Sequence, residues 1–387
     1  MQRYTRIILA VVAVVALAFA CAKYESEDSL VSQKRVRDAW MRVNLGKELE
    51  ADENGLYILE KKVGSGKTIG DTAFILFDYV VRDLDGNYTK YTTEEVARIM
   101  GTYSNTKYYS PEIIQMGQYK LYTPMENFVK TLNGGGKAKF LLPPEATTYA
   151  YTKELKKYYK SYGNDGTKPA NSENYIYDVE VVDVIDDIYQ YQIDKLEAFA
   201  DKNYAGLDSL EKGFYFYKIK ENPSERDSIT SSTSVKVDYI GKLLDGFCFD
   251  TNIADSAKVY GLYNLSKSYD PLSVTYQKNG YTLSDDGTRS YSSDVINGFA
   301  MAVGRMRYGE EAIAFFWSPL AYGTKSSDSY PAYARCASTL KYVQRNNLAL
   351  RCFGQALLCL DKAKRDLGFT NLPVANAKGF TYKKASR

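Results

Sequence analysis

Residues 235–250 have the sequence VKVDYIGKLLDGFCFD, which predicts two antiparallel strands joined by a tight turn. The first valines alternate with charged residues, which is the period of a strand with one buried face. The dipeptide Asp245-Gly246 is typical of a hairpin turn, because glycine adopts a positive φ without steric cost. Two phenylalanines then share one face, the second being Phe249, and Asp250 follows. The stretch therefore brings aromatic and acidic side chains together on a sheet.

The composition excludes several kinds of site. The chain has 387 residues, enough for two or three domains, and its formal net charge of +3 does not indicate a nucleic-acid partner. It contains no histidine, which excludes His-based triads, His zinc sites and imidazole acid–base chemistry. None of the five cysteines forms a C-x-x-C pair, so we expect no tetrahedral zinc site and no cofactor. The 36 tyrosines suit β-rich folds and binding surfaces.

The N-terminus is predicted to be an export signal. Arg3 and Arg6 precede an apolar run over residues 7–20. This run is too short to span a bilayer, and its charged start and apolar centre have the pattern of a secretory signal peptide. We therefore expect residues 1–20 to be a signal peptide.

The residues before Cys21 resemble a bacterial lipobox, although Ala18 stands where leucine is more usual. The resemblance implies cleavage before Cys21, lipidation of its thiol and anchoring in the bacterial cell envelope, for which we expect the outer membrane. The alternative is an ordinary signal peptide followed by a chance cysteine. Residues 23–28 are polar and acidic, which is typical of a flexible tether, and they are similar to export tags on surface lipoproteins of Bacteroidetes. We expect this tether and a helix after it to span residues 21–54 together.

The chain contains a long internal repeat. Residues 55–58 (GLYI) are echoed by residues 213–216 (GFYF), and the turn Asp85-Gly86 is echoed by Asp245-Gly246. Each copy is preceded by a helical, charged segment, so the unit is a helix, a short strand, a hairpin, a long loop, a helix and two strands. The period predicts two tandem α+β domains of one fold. Their expected bounds are residues 55–188 and 213–345, joined by a linker helix over residues 189–212.

The second copy continues with further ordered motifs. After a long polar loop over residues 251–294, the sequence VINGF (295–299) opens a short helix, and MRYGE (306–310) follows it. LAYG (320–323) and TLKY (339–342) come later. With the hairpin, and in this order, these motifs resemble the FKBP-type peptidyl-prolyl cis-trans isomerases. The resemblance implies a twisted antiparallel sheet wrapped on a short helix. It covers the first copy by pattern only.

The resemblance also implies a site for a proline-containing polypeptide. Phe299, usually tryptophan in the family, would form the floor of an apolar cup. The Ile296 N–H and the Tyr322 hydroxyl would donate to substrate carbonyls, and Asp250 would orient Tyr239. The walls of the cup would be formed by Tyr239, Phe249, Val295, Ile296 and Tyr342. Rotation about an X-Pro bond crosses a barrier of roughly 18–20 kcal/mol set by amide resonance, and it needs no nucleophile or metal.

The first copy departs from the family pattern at this site. Its turn is followed by Thr89-Lys90 instead of Phe-Asp, and residues 123–128 (TPMENF) replace the Val-Ile-x-Gly box. We therefore predict a folded, non-catalytic first domain. Two alternatives to an isomerase remain for the whole chain. One is an envelope protein that binds a partner through the same cup without turnover, and the other is a surface module that binds glycans through tyrosine-rich loops.

Three further features are assigned other roles. The stretch GSGKT (64–68) resembles a phosphate loop but lacks the first glycine and leads into a strand. The paired acids at 186–187 and 310–311 are expected in solvated turns. Residues 346–387 form a basic tail, in which residues 348–367 predict an amphipathic helix. It is either a docking helix or sequence foreign to the domain, after a reading-frame change near Arg335. In the second case the closing strand of the second domain would be missing.

Overall fold

A computed structural model describes residues 29–147, 172–224, 229, 233–282 and 289–345. Within these segments the chain forms two antiparallel sheets and a few helices, so the predicted α+β class with two tandem domains is confirmed. The predicted signal peptide, the lipidation site at Cys21 and the basic tail over residues 346–387 lie outside the described residues. None of the described helices combines the length and apolar character that a membrane crossing requires.

The first domain begins with helix α1 (Ser29–Leu45) and then forms a six-stranded sheet in the order β1-β5-β6-β2-β3, with β4 beside the other half of β2. Short helices lie between its strands. In chain order the elements are β1 (Tyr57–Lys62), β2 (Phe74–Asp83), β3 (Tyr88–Tyr91), α2 (Glu94–Ile99), β4 (Glu112–Gln115), α3 (Thr123–Val129), β5 (Gly136–Leu142), a 3-10 turn (Pro144–Ala146) and β6 (Tyr175–Ile185).

Helix α4 (Ile188–Asn203) leads to the second domain, whose sheet has the order β7-β13-β14-β8-β10, with β9 beside the other half of β8. A two-stranded ribbon is added to it. The elements are β7 (Phe214–Lys220), β8 (Thr233–Leu243), β9 (Cys248–Thr251), α5 (Ala254–Val259), β10 (Leu272–Tyr276), β11 (Tyr281–Thr282), β12 (Arg289–Ser290), α6 (Asn297–Val303), β13 (Glu311–Phe316), a 3-10 turn (Ser318–Leu320) and β14 (Cys336–Arg345).

The two sheets have the same topology. Strands β1 to β6 occupy the same places in the first sheet as β7, β8, β9, β10, β13 and β14 in the second. The repeat seen in the sequence is therefore a repeat of the complete fold. Residues of the shared strands and helices therefore have counterparts in the other domain, as Tyr79 corresponds to Tyr239 and Met125 to Phe299 by position in strand and helix.

Each sheet wraps on one short helix, α3 or α6. Helix α6 is buried almost all round, and its Gly298 lies so close to Phe316 of β13 that a Cβ atom there would come within 2.4 Å of the ring. This close approach lets seven residues form a helix, although a helix of this length is not stable alone. The helix and the sheet are thus folded as one unit.

Strand β14 closes the sheet of the second domain. It pairs with β13 through Cys336–Lys341 and with β8 through Cys336–Arg345, so it lies at the centre of the sheet. Cys336, Leu340 and Tyr342 are buried along one face of it. The missing closing strand that only the reading-frame alternative implied is therefore not found, because the pattern of buried side chains continues beyond Arg335.

The predicted polar loop over residues 251–294 is also more ordered than expected. It contains α5 and β10, besides the short ribbon. A six-residue helix and a five-residue strand are too short to show a clear period in sequence. They are fixed by pairing, since β10 runs antiparallel to β8 from Leu272 to Tyr276.

Helix α1 is part of the first domain and not a free extension of the tether. The side chain of Arg37 is 2 % exposed, and it donates to Glu145 at 2.5 Å and lies 4.6 Å from the ring centre of Tyr57. Met41 is buried on the same helix. Asn174, at the start of β6, donates to the backbone of Gln33. A buried guanidinium therefore joins the helix to the sheet.

Helix α4 belongs to the second domain. Its Leu196 and Ala200 pack with Tyr215, Phe315 and other residues on the outer face of the second sheet. The buried Gln192 accepts a hydrogen bond from the backbone N–H of Ser318 at 2.8 Å, just after β13.

We predict that Arg37→Ala lowers the free energy of unfolding of the first domain by about 2 kcal/mol, because it removes a buried charged hydrogen bond. Denaturant unfolding measures this. Arg42→Ala is the matched control. Arg42 lies on the same helix as Arg37 and pairs with Glu48, which follows the helix, but the side chain of Arg42 is 61 % exposed. The control is expected to change stability by less than about 0.5 kcal/mol. Equal losses for both variants would contradict docking through Arg37.

Candidate functional site

The hairpin of β8 and β9 carries the first group of predicted site residues. Gly241 of β8 is opposite Asp250 of β9, and the ring of Phe249 lies over Gly241, only 3.0 Å from where a Cβ atom would stand. Glycine at this position therefore leaves the space that the ring of Phe249 occupies. In the first domain Val81 corresponds to Gly241 and Thr89 to Phe249. The valine side chain therefore stands on the strand where the second domain has the phenylalanine ring.

Asp250 holds the Tyr239 hydroxyl in place. The hydroxyl donates to Oδ2 of Asp250 at 2.5 Å, and the Nζ of Lys267 donates to Oδ1 at 2.5 Å. Burial, followed by the hydrogen bond to Asp250, raises the pKa of Tyr239 well above its usual value of 10.0. The hydroxyl thus remains protonated over the physiological range. Both carboxylate oxygens are occupied, which makes Asp250 an orienting group and not a free base.

Phe299, the predicted floor of the site, is buried at the start of α6 beside Tyr239. It is 5 % exposed and meets Tyr239 edge-on, with the ring centres 5.5 Å apart. Val295 and Ile296 are half-buried in the segment that enters α6. Ile296 is the N-cap residue of this helix, and N–H groups at a helix start have no acceptor within the helix. Its N–H is therefore at the place from which a bound carbonyl could be contacted.

Tyr322 forms one wall together with a residue that the sequence did not indicate. Its ring stacks on Tyr330 with centres 4.0 Å apart and an angle of 13°. Phe249 meets both rings edge-on, at 6.0 and 6.1 Å. Burial also raises the pKa of Tyr322, so its hydroxyl too is a neutral donor. The wall is consequently aromatic and uncharged.

Tyr342 has a less exposed position than the other predicted wall residues. It is 4 % exposed in the same core cluster, and its ring meets Tyr308 edge-on at 5.7 Å. Of the eight predicted site residues, Tyr342 thus lies in the packing beside the site. The remaining seven come together at the site: Tyr239, Phe249, Asp250, Val295, Ile296, Phe299 and Tyr322.

Three contributors were not found from the sequence. Lys267 and Tyr330 come from loops without a periodic pattern. Tyr108 comes from the first domain and packs on the core of the second, with its ring 5.1 Å from that of Phe247. The sequence did contain one indication of Lys267, because Lys107 occupies the same place in the first repeat.

The first domain has a cavity of about 150 Å³ at the corresponding place. Met125 replaces Phe299 there, and Lys90 replaces Asp250. The hydroxyl of Tyr79 donates instead to Glu112 of β4, at 2.8 Å. The cavity keeps a tyrosine held by a carboxylate and is also lined by Phe77, Tyr122 and Tyr177, so it differs from the second domain at the positions of Phe299 and Asp250 and not by a lack of aromatic rings.

The other sequence features have structural roles. Gly64 and Gly66 pack on the backbone of Gly134, and Lys67 leads toward β2, so the phosphate-loop geometry is not formed. Asp187 caps α4 through two backbone N–H groups, which lower its pKa. Glu310 is buried in a pair with Lys218. Among the described residues, no group of three or more cysteine and acidic side chains could hold a metal ion.

Comparisons with known proteins find no matching family model and no matching curated protein. Solved structures with similarity include the three FKBP domains of wheat FKBP73, at 16 % identity over 76 % of this chain and 95 % of that one, with a TM-score of 0.26. FkpA from Escherichia coli has 19 % identity over 40 % of this chain and 57 % of its own, with a TM-score of 0.28. A peptidyl-prolyl cis-trans isomerase from Pseudomonas syringae has 17 % identity over 40 % and 93 %, with a TM-score of 0.27. At these values the function has to be inferred from the side chains of the site.

We predict that the stability of the second domain falls as the pH rises above about 10, where tyrosines of the unfolded chain ionise. The raised pKa of Tyr239 means that the folded state keeps a proton that the unfolded state has lost, so folding is disfavoured in this window and unaffected below it. Denaturant unfolding between about pH 9 and pH 11.5 measures the slope. Tyr239→Phe should reduce the slope of the free energy of unfolding against pH by the equivalent of up to one proton. An unchanged slope would show that Tyr239 ionises equally in the folded and unfolded states.

Proposed function

We propose that the second domain is a peptidyl-prolyl cis-trans isomerase that acts on X-Pro bonds of polypeptides. The observation that supports this best is the aromatic site itself: Phe299 at the bottom, Tyr239 edge-on to it, and Phe249 and Tyr322 beside them. Apolar rings with neutral hydroxyl donors can seat a proline ring without placing a charge in contact with it.

The site supports amide rotation in two ways. The planar amide of an X-Pro bond is stabilised by resonance and by water that hydrogen-bonds to its carbonyl oxygen. An apolar seat that excludes this water favours the twisted amide, which has a less polar carbonyl. The Tyr322 hydroxyl and the Ile296 N–H are suited to hold neighbouring carbonyls of the substrate, because both are donors at the edge of the seat.

Asp250 contributes by position. With one oxygen on the Tyr239 hydroxyl and the other on Lys267, it fixes the tyrosine ring that faces Phe299. The pair with Lys267 is partly exposed, at 38 % and 42 % of the two side chains, and such pairs contribute little to stability. The pair between Asp250 and Lys267 therefore acts mainly by holding the Tyr239 ring in one position.

The place of action is a proposal that rests on the sequence. We propose that the protein is lipid-anchored at Cys21 in the bacterial cell envelope and acts there on exported polypeptides. Metabolic labelling with palmitate in a bacterial host tests the anchor. We expect labelling of the parent chain and its loss in Cys21→Ser; labelling that persists in the variant would place the lipid elsewhere.

We predict that the purified protein accelerates cis-trans exchange of a proline-containing tetrapeptide in a protease-coupled assay. Phe249→Ala combined with Asp250→Ala should lower kcat/KM at least about tenfold, which corresponds to about 1.4 kcal/mol of lost transition-state stabilisation.

The matched control changes the corresponding residues of the first domain, Thr89→Ala with Lys90→Ala, and should leave kcat/KM unchanged. Absence of isomerase activity in the parent protein would contradict the proposed enzyme function. Binding of the peptide without turnover would then favour the alternative in which the site only holds a partner.

A further inference from the structure

A cleft of about 660 Å³ separates the two domains. One wall is the segment Ser110–Gln115, which includes β4 of the first domain, and the other is the loop of the second domain from Thr324 to Tyr333. Some of the residues that line it also join the two domains directly. Tyr108 donates through its N–H to Asp328 and through its hydroxyl to Asp245, and Phe74 meets Tyr333 edge-on at 5.5 Å.

The cleft runs along the edge of β4 and not over one face of it. Residues 110 to 115 all line it without a break. Four of them, Glu112–Gln115, form β4, and because successive side chains of a strand point to opposite faces, consecutive strand residues line one space when that space follows the strand edge. Within the described part of the chain, β4 pairs with β2 alone, so no strand occupies its outer edge.

The pairing with β2 determines which groups this edge presents. Met116 donates to the carbonyl of Ala73, and in an antiparallel pair alternate residues direct their N–H and C=O groups to the same neighbour. Ile114 and Glu112 therefore face β2. The N–H and C=O groups of Ile113 and Gln115 face the cleft.

The second domain shows how such an edge is closed. In β10, the strand that corresponds to β4, the outward N–H of Thr275 donates to the carboxylate of Asp294 at 2.9 Å. The residue that corresponds to Asp294, two places before the helix N-cap, is Lys120 in the first domain. A lysine cannot accept this hydrogen bond. The first domain therefore lacks the group that closes the edge in the second.

The cleft also adjoins the cavity of the first domain and the aromatic site of the second. Glu112, Ile114 and Lys120 line both the cleft and the cavity of the first domain. On the opposite side the cleft reaches Tyr330, which stacks on Tyr322 in the site of the second domain. A chain bound in the cleft would thus be continuous with a proline in that site.

We propose that the cleft binds the residues that flank the substrate proline, as an extended strand added to the edge of β4. The outward amides of Ile113 and Gln115 fit a polypeptide backbone, and the polar lining around them is of mixed charge, with Lys107 and Lys120 beside Glu112 and Asp328. Such a lining has no preference for a polyanion. This inference rests on the proposed function of the second domain and gives the first domain a role in recognising unfolded substrates.

The test compares two substrates with the full chain. One is a tetrapeptide with a central Ala-Pro, and the other is an unstructured peptide of about twelve residues that contains the same Ala-Pro among uncharged residues, long enough to reach along a strand at about 3.3 Å per residue. We expect a KM at least about tenfold lower for the long peptide. We also expect slower hydrogen exchange at the amides of Ile113 and Gln115 when the long peptide is present, and no change with the short one.

Two variants remove the edge in different ways. Ile113→Pro deletes an outward N–H and leaves the bonds to β2, and Lys120→Asp introduces the carboxylate that closes the edge in the second domain. Both should abolish the advantage of the long peptide and leave kcat/KM for the tetrapeptide unchanged. If the proline variant fails to fold, the aspartate variant still gives the answer.

The outcomes separate the two proposals. Turnover of both peptides with equal KM would overturn the strand-addition proposal and leave the isomerase intact. Absence of turnover with protection of Ile113 and Gln115 by the long peptide would overturn the isomerase and support the cleft as a polypeptide site. Protection of these amides without peptide, in a concentration-dependent dimer, would assign the edge to a second copy of the chain and overturn the proposal.

Discussion

The central pairing of β8 with β14 is the interaction on which the second domain depends. The two strands run antiparallel from Val235 to Leu243 against Cys336 to Arg345, with one irregularity near Tyr342. The sheet built around this pair packs on α6, which is too short to be stable alone and lies closest to Phe316 of β13. Because Phe299 of α6 meets Tyr239 of β8, the site forms only when the helix and the sheet are folded together.

The same frame in the first domain supports a different surface. Strands β2 and β6 pair in the same way, from Phe74 to Asp83. Where the second domain has Gly241 with the ring of Phe249 against it, the first has Val81 and Thr89. Val81 is buried in the core of the first domain, so the side chain of the strand itself fills this position and the same fold forms without a ring there. The tyrosine that both copies retain is held by a carboxylate from β9 in one case and from β4 in the other.

Much of this arrangement could be predicted from local patterns. The hairpin, the short helix after Ile296 and the repeat each have a signal within a few residues, and they located seven of the eight predicted site residues in one place. The short elements of residues 251–294 could not be predicted, because they are set by pairing with β8 and not by their own period. Arg37 had no signal for the same reason: its charge suggests a solvated helix, and only the partner Glu145, distant in sequence, makes its burial tolerable.

The bare edge of β4 has a consequence for synthesis. The first domain leaves the ribosome before the second, and during that interval nothing in the described part of the chain covers Ile113 and Gln115. Uncovered strand edges invite pairing with other chains. The later docking of Tyr108 on Phe247 and of Tyr333 on Phe74 encloses this edge between the domains. We therefore expect docking of the second domain to restrict pairing of this edge with other copies of the chain, and a first domain synthesised ahead of the second to be more prone to such pairing.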